Sequence, residues 1–126
     1  MRKLLAVSAF LIAGLMFSVN YSVARPISYC ASGIPPKSNP NEYDDFRNAK
    51  FQLDQYLKGK GQRPTVFNNN EGILPNVPRM TYFEFDLGKD RYGRRGRHRA
   101  IIGYDGSANR TYYYTDNHYR SFCMIR

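Results

Sequence analysis

Apolar residues between positions 40 and 57 recur at the three- and four-residue spacing of an amphipathic helix: Tyr43, Phe46, Ala49, Leu53 and Leu57. This spacing puts them on one face of the helix, so that face is predicted to pack on a core. Asn39 suits the N-cap, Pro40 suits the first helical position, and Glu42 has the spacing of a capping box. Gly59 and Gly61 are predicted to end the helix.

After Pro64 the pattern changes to short β-rich runs that are separated by glycine, proline and asparagine. Five strands are predicted, and they are Thr65–Phe67, Met80–Leu87, Arg99–Tyr104, Arg110–Thr115 and Arg120–Ile125. One helix followed by consecutive strands predicts an α+β domain. In such a domain the helix packs on one face of an antiparallel sheet.

Alternation along the second predicted strand divides its side chains between two faces. The face toward the helix is predicted to carry Phe83, Phe85 and Leu87, and the other face Tyr82, Glu84 and Asp86. Glu84 is therefore expected to face away from the helix. If this strand pairs with Arg99–Tyr104, Arg99 comes to lie beside Glu84 on the open face of the sheet.

Residues 1–24 have the features of an export signal: a basic start, an uncharged apolar run over 4–17 and a small-residue cleavage site. The run is shorter than the roughly 20 residues that a bilayer span needs. We therefore expect a secreted monomer outside the membrane, formed by one domain over residues 25–126. Loss of Arg2 and Lys3 lowers the net charge from +9 to +7. A basic protein favours nucleic acid, or secondly an acidic membrane surface, as a partner.

The two cysteines, Cys30 and Cys123, lie near opposite ends of this domain. Because an exported protein meets an oxidising compartment, we expect a disulfide between them. Closing so long a loop would stabilise the fold by about 4 kcal/mol. The alternative is a pair of free thiols or half of a metal site. Only His98 and His118 remain as nitrogen ligands, without close Cys/His spacing, so no metal and no cofactor is predicted.

The last third of the chain contains the residue types of a metal-free site that cleaves phosphodiesters. RNA cleavage through its 2′-hydroxyl needs a base, an acid and cations around the phosphate. Glu84 is the candidate base, and His118 is the candidate acid because imidazole titrates near neutrality. Taken singly, each also has a plain interpretation, as a salt-bridged strand carboxylate and as a surface histidine.

Five arginines lie close together in this region: Arg91, Arg94, Arg95, Arg97 and Arg99. Arg95 and Arg99 are the candidates for the phosphate, because Arg99 opens a strand and Arg95 precedes it closely. The guanidinium fork matches two phosphate oxygens and stays charged. The other three are interpreted as a flexible basic loop.

The segment Phe67–Gly72 is rich in asparagine and is predicted to form a turn. A turn of this kind also has the groups needed to read guanine. Its exposed backbone N–H groups meet guanine O6, its carboxylate accepts from the donor edge of the base, and its aromatic ring stacks on the base. The residues that would do this are Phe67, Asn68, Asn69, Asn70 and Glu71.

In order and spacing, four parts of the chain resemble the small secreted bacterial guanyl-specific ribonucleases, the barnase-like members of the microbial ribonuclease N1/T1 group. The matching parts are Phe67–Pro75, Tyr82-Phe83-Glu84, Arg95 with Arg99, and Thr115–Phe122. The likeness runs from about Cys30 to Arg126. It is greatest for the shorter members, which have one end-to-end disulfide.

The resemblance implies an endoribonuclease that cuts single-stranded RNA after guanosine, through a 2′,3′-cyclic phosphate and without metal. By position, Glu84 resembles the general base, His118 the general acid, and Arg95 and Arg99 the pair that stabilises the phosphate. Glu71 resembles the carboxylate that reads guanine. Backbone groups of Asn68, Asn69 and Asn70 would help Glu71 to read the base, and Phe67 and Tyr119 would line the base and phosphate positions. Some members are held by a small acidic inhibitor protein, which a basic face would suit.

The chain departs from the family pattern at two positions and at its start. Asn70 stands where an arginine is common, which weakens the expectation of strict guanine preference. Asn117 replaces the aspartate that usually precedes His118, so a negative charge that would favour the protonated imidazole is missing. The longer N-terminal helical region of barnase, with its lysine, has no counterpart.

Two other functions remain open from the residues alone. A basic, tyrosine-rich sheet is also suited to holding single-stranded RNA without cleaving it. A cationic exported protein is also suited to acting on the membranes of competing cells.

Overall fold

The computed structural model describes residues 26–31 and 40–126. The predicted signal peptide, its cleavage site after Ala24 and the predicted N-cap Asn39 lie outside the described residues. Among the residues that are described, no helix combines the length and the apolar character needed to cross a bilayer.

Over residues 26–31 and 40–126, the structure contains one helix and five antiparallel strands, which confirms the predicted α+β class. The sheet has the order β1-β2-β3-β4-β5. The elements are α1 (Pro40–Leu57), β1 (Thr65–Phe67), β2 (Thr81–Asp86), β3 (Arg99–Tyr104), β4 (Arg110–Thr115) and β5 (Cys123–Met124). The last strand is shorter than predicted, because the side-chain oxygen Oδ1 of Asn117 accepts from the Ser121 backbone amide (3.1 Å) and holds the preceding residues in a turn.

The helix packs on one face of the sheet through a buried apolar cluster. Ala49 and Leu53 meet Phe83 and Phe85 there, which confirms the predicted alternation along β2. Leu87, the third residue predicted on this face, is buried in a neighbouring cluster with Phe46, Ala100 and Tyr114.

The buried face of α1 begins at a carboxylate instead of at the predicted tyrosine. Tyr43 is 42% exposed, whereas Glu42 is 2% exposed. A carboxylate is stable at that depth because it is paired: Oε1 of Glu42 lies 2.6 Å from Nδ1 of His98 and accepts from the Tyr114 hydroxyl at 3.1 Å. Glu42 therefore ties the start of the helix to the sheet.

The predicted disulfide between Cys30 and Cys123 is present, with 4.9 Å between the two Cα atoms. Backbone bonds reinforce it. The Cys30 amide donates to the Met124 carbonyl at 2.8 Å, and the Met124 amide donates to the Ser28 carbonyl at 2.8 Å. The N-terminal segment is thereby fastened to the last strand.

The sheet face opposite the helix is partly covered, although an open face was expected. Tyr82, Ile101 and Tyr113 alternate with the inward residues of their strands and form a third buried cluster with Leu74. Phe67, at the end of β1, packs against this cluster together with the loop residues Tyr119 and Phe122. The candidate site is thus framed by two loops that lie across this face of the sheet.

Candidate active site

Glu84 lies in the middle of β2, on the face opposite the helix, and is bonded to Tyr119. The hydroxyl of Tyr119 donates a hydrogen bond to Oε2 of Glu84. Burial, followed by the effect of this carboxylate, raises the pKa of Tyr119 to about 12. The tyrosine therefore stays a donor at neutral pH. Within residues 26–31 and 40–126, no group donates to the other oxygen of Glu84.

A carboxylate holds the two candidate arginines side by side at the end of β2. Asp86 lies directly across the strand pair from Arg99. It accepts two hydrogen bonds from Arg95, at 2.6 and 2.9 Å, and its Oδ1 lies 3.0 Å from Nε of Arg99. The Arg95 bond, together with both positive charges, outweighs partial burial and holds the pKa of Asp86 below its usual range. The carboxylate directly opposite Arg99 is thus Asp86, and Glu84 lies one diagonal step away.

The two arginines differ in how they are held. Arg99 is 3% exposed, and its Nη1 donates to the carbonyls of Gly96 (2.7 Å) and His98 (2.8 Å). Its Nε contact with Asp86 is an ion pair, since that buried nitrogen makes no hydrogen bond to a described residue. The side chain of Arg95 is 69% exposed. Because Asp86 engages only two of its five N–H donors, the other edge of this guanidinium is available to phosphate oxygens.

A turn held by side-chain hydrogen bonds carries His118 and Tyr119. The Thr115 hydroxyl accepts from the Tyr119 backbone amide at 3.1 Å and donates to the side-chain oxygen Oδ1 of Asn117 at 2.9 Å. The side-chain nitrogen Nδ2 of Asn117 also donates to the Ser121 hydroxyl at 2.8 Å. The asparagine that replaces the family aspartate is thus part of this turn.

The backbone of this turn is strained at two positions. His118 and Tyr119 have φ angles of 57° and 75°, in the left-handed region that residues other than glycine seldom adopt. The His118 amide donates to the Arg97 carbonyl at 3.2 Å. The exposed imidazole lies 4.6 Å from the ring of Tyr119, measured between ring centroids. The turn thus brings the candidate acid to the same tyrosine that is bonded to Glu84.

The asparagine-rich turn lies beside this group of residues. The ring of Phe67 stacks on that of Tyr119, with 5.0 Å between centroids and 29° between planes. A cleft next to them is lined by Phe67 together with Asn68, Asn69 and Asn70. Glu71 is exposed on the same turn and does not line this cleft.

Two hydrogen-bond systems fix the shape of the asparagine-rich turn. The Asn69 side chain donates to the Leu74 carbonyl at 2.9 Å and accepts from the Leu74 amide at 3.1 Å. The Tyr82 hydroxyl donates to the Pro75 carbonyl at 2.6 Å. Asn69 has a φ of 55°, a conformation that asparagine tolerates better than most residues. The turn predicted for this segment is therefore present, and Asn69 holds its shape.

Most of the predicted site residues come together, and one residue of the site was missed. Glu84, His118, Arg95 and Arg99 lie around Tyr119, whereas Glu71 is exposed and does not line the cleft beside Phe67. Asp86 was placed on the face of Glu84 without a role of its own. Sequence reasoning could have found Asp86 from its position, two residues after Glu84 on that face and within reach of Arg95 and Arg99. In the described part of the chain, no group of three or more His, Cys, Asp or Glu residues is arranged to hold a metal ion.

Comparison with known proteins gives two matches. A family model described as ribonuclease matches residues 25–126. The guanyl-specific ribonuclease St of Saccharopolyspora erythraea is 40% identical over 58 residues, which is 46% of this chain and 54% of that relative. The chain thus spans about half the length of this relative. Because the family model covers the whole domain that contains the site, the chain belongs to the ribonuclease family.

Proposed function

We propose that the protein is an endoribonuclease that cleaves single-stranded RNA after guanosine by general acid–base catalysis. Membership of the ribonuclease family supports the reaction class. The partial match to a guanyl-specific ribonuclease supports the base preference. The proposal assigns the base to Glu84, the acid to His118 and phosphate binding to Arg95 and Arg99.

The observation that carries the proposal is the grouping around Tyr119. Its hydroxyl is bonded to Glu84, its ring is 4.6 Å from that of His118, and Cζ of Arg99 is 6.0 Å from its centroid. Arg95 lines a cleft together with Glu84. This grouping supports the assignment of a base, an acid and two cations to one phosphate. This is the set of groups that transesterification of RNA requires.

The reaction proceeds in two steps. Glu84 takes the proton of the 2′-hydroxyl, the 2′-oxygen attacks phosphorus, and the bond from phosphorus to the 5′-oxygen breaks. His118 gives that leaving oxygen its proton, while Arg95 and Arg99 neutralise the charge on the phosphate. The products are a 2′,3′-cyclic phosphate and a free 5′-hydroxyl. In the second step the roles reverse, and water opens the cyclic phosphate to a 3′-phosphate.

Guanine recognition is assigned to the cleft beside Phe67. The asparagine-rich turn supplies backbone donors for guanine O6, and a side-chain rotation of the exposed Glu71 would bring its carboxylate to the donor edge of the base. Phe67 reaches the base with one face, because its other face is stacked on Tyr119. The asparagine at position 70 supplies no positive charge here, so discrimination rests on Glu71 and the backbone.

We also propose that the protein is secreted and that a small acidic inhibitor protein binds it. The export-signal features of residues 1–24 support secretion of a mature chain that begins at residue 25, which we expect to be a monomer. A small acidic inhibitor protein would fit the cationic site, because complementary charge favours association.

The test is cleavage, in the presence of EDTA, of a short RNA that contains one guanosine, with products identified by mass spectrometry. We expect a single cut after the guanosine and a cyclic phosphate end. Glu84→Gln and His118→Ala should each lower the rate by about 10²- to 10⁴-fold. Asp44→Asn makes the same carboxylate-to-amide change on the exposed side of α1 and should leave the rate unchanged.

Each other outcome has a distinct meaning. Cleavage at other bases keeps the chemistry and removes the guanine assignment. Cleavage that EDTA stops removes the metal-free mechanism. Binding of RNA without cleavage, unaffected by Glu84→Gln, favours the binding protein instead of the enzyme. Leakage of lipid vesicles by both variants would favour the membrane-active protein.

A further inference from the structure

The hairpin that joins β2 to β3 carries an aromatic and basic surface that the proposed reaction does not use. The ring of Tyr92 is 65% exposed at its tip. The guanidinium carbons of Arg91 and Arg94 lie 4.9 and 5.0 Å from the centroid of this ring. An aromatic ring flanked by guanidinium groups is a surface on which nucleobases stack, and its charges attract phosphate.

The tip has a defined backbone, although its arginines were interpreted as part of a flexible loop. Oδ1 of Asp90 accepts from the amides of Tyr92 (2.8 Å) and Arg94 (2.9 Å). The Asp90 amide donates to the Arg94 carbonyl at 2.8 Å, and the Gly93 amide donates to the Asp90 carbonyl at 2.9 Å. Gly93 has a φ of 76°, which glycine adopts without strain. The three side chains are thus presented by a closed turn.

The position of this hairpin relates it to the proposed substrate path. The cleft of the asparagine-rich turn is lined by Thr81 and Tyr82, at the start of β2. The hairpin begins at the other end of that strand, after Asp86, and Arg95 is the residue that comes directly after its tip. Glu84 lies between the two ends. An RNA chain with its guanosine in the cleft and its cleaved phosphate at Glu84 therefore continues toward the hairpin tip.

We propose that Arg91, Tyr92 and Arg94 form a binding subsite for the nucleotides on the 3′ side of the cleaved bond. One base of that segment stacks on the Tyr92 ring or on a guanidinium plane beside it, and the arginines contact its phosphates. The subsite rests on the proposed ribonuclease function, because its ligand is the downstream part of the same substrate.

The test compares kcat/KM on the dinucleotide GpU with kcat/KM on the tetranucleotide GpUpUpU, which has the same single cleavage site. Wild-type protein should favour the longer substrate. In Arg91→Ala/Arg94→Ala we expect the ratio of the two values to fall about tenfold, the size of one lost stacking or charge contact. The control Arg47→Ala/Lys58→Ala removes the same charge from exposed positions of or next to α1 and should keep the ratio.

Two substitutions of Tyr92 separate the effect of stacking from that of charge. The salt dependence of kcat/KM measures the phosphate contacts. Tyr92→Phe keeps the ring and should keep the ratio, whereas Tyr92→Leu should lower it. On the tetranucleotide, the slope of log kcat/KM against log salt should become shallower by about 0.7 for each phosphate contact that the arginine variants lose. The control pair should not change this slope.

The outcomes distinguish the subsite from the reaction. If wild-type protein leaves GpU and GpUpUpU intact, the proposed function fails and the subsite fails with it. If wild-type protein cleaves both equally well, the subsite alone is overturned. If kcat/KM of Arg91→Ala/Arg94→Ala falls by the same factor on both substrates, the hairpin acts by supporting Arg95. The subsite is then also overturned.

Discussion

The hydroxyl of Tyr119 is bonded to Glu84 while the ring of the same tyrosine stacks on Phe67. One side chain thus connects the candidate base with the loop that is proposed to read guanine. Tyr119 is itself held by the Thr115 hydroxyl, which is 1% exposed at the end of β4. A shift of the asparagine-rich turn would therefore reach the candidate catalytic carboxylate, Glu84, through this ring.

Tyr119→Phe separates these two connections. It keeps the ring and removes the hydrogen bond to Glu84, so kcat should fall by about tenfold, the value of one hydrogen bond to a charged group, with KM unchanged. Tyr119→Leu also removes the stacking on Phe67 and should raise KM. Steady-state kinetics on an RNA with one guanosine measure both. Equal kcat in wild type and Tyr119→Phe would mean that Glu84 does not depend on this bond.

Asp86→Asn is predicted to lower both stability and activity. Arg99 is buried, so removing its partner leaves a charge without compensation. We expect a loss of about 2 kcal/mol, less than for a fully buried pair because the Asp86 side chain is 43% exposed. Activity should fall because Arg95 and Arg99 lose their common anchor. Urea unfolding and single-turnover cleavage measure the two effects.

The difference in stability between wild type and Asp86→Asn should depend on pH with a definite sign. The pKa of Asp86 is lowered by folding from its ordinary value of 3.8. Its contribution to stability is therefore complete above pH 3.8 and is lost as the pH falls through the lower value of the folded state. Wild type and Asp86→Asn should differ by a constant amount near neutrality and converge in acid. A difference that grows toward low pH would contradict the ion-pair account.

Asn69 is predicted to stabilise the asparagine-rich turn in two ways that substitutions can separate. Asn69→Gly keeps the left-handed backbone and removes the bonds to Leu74, at a cost of about 2 kcal/mol. Asn69→Ala removes the same bonds but keeps a Cβ in the left-handed conformation without the polar group that lets asparagine tolerate it, at a cost of about 1 kcal/mol beyond that of Asn69→Gly. Denaturant midpoints should fall in the order wild type, Gly, Ala. KM for the guanosine-containing RNA should rise in both variants, and the reverse order of stability would refute the backbone argument.

The sequence was sufficient for the helix, four of the strands and the disulfide, because the elements depend on local pattern and the chain has only two cysteines to pair. It also placed Glu84 on the face opposite the helix, since alternation in a strand fixes the face of every side chain. The pairing of Asp86 with Arg99 could not be predicted from the sequence. It depends on the register of β2 on β3, and no local pattern distinguishes this register from one shifted by two residues.

The inward position of Glu42 could not be predicted for a similar reason. Its helix turn contains both a tyrosine and a carboxylate, and hydrophobicity favours burial of the tyrosine. The partners that reverse this preference, His98 and Tyr114, lie 56 and 72 residues further along the chain. Only the assembled sheet brings them to the start of the helix.

Removal of the disulfide is predicted to cost stability and to spare activity. Cys30 and Cys123 are 93 residues apart, so Cys30→Ser/Cys123→Ser should lower the free energy of unfolding by about 4 kcal/mol. The candidate catalytic residues lie on β2, β3 and the 115–121 turn, which have their own bonds. At a temperature where the variant is folded, kcat/KM should therefore match the wild type. An unchanged unfolding midpoint would show that the crosslink does not restrict the unfolded chain.

Buried tyrosines are predicted to make the protein sensitive to alkali. Burial, with a smaller effect of Tyr113, raises the pKa of Tyr82 from 10.0 to about 12. Between these values the folded state keeps a proton that the unfolded chain releases, so stability decreases as the pH rises. Each such tyrosine should contribute a slope of about −1.4 kcal/mol per pH unit in that window.

Tyr82→Phe tests this account because it removes the titrating group and keeps most of the ring packing. Its stability should be lower near neutrality, since the bond to the Pro75 carbonyl is lost, but should fall less steeply between about pH 10 and 12. Tyr43→Phe changes an exposed ring on α1 and is the matched control. Urea unfolding at a series of pH values, with tyrosinate absorbance followed in parallel, measures both. Identical alkaline slopes in Tyr82→Phe and wild type would mean that Tyr82 ionises without opposing the fold.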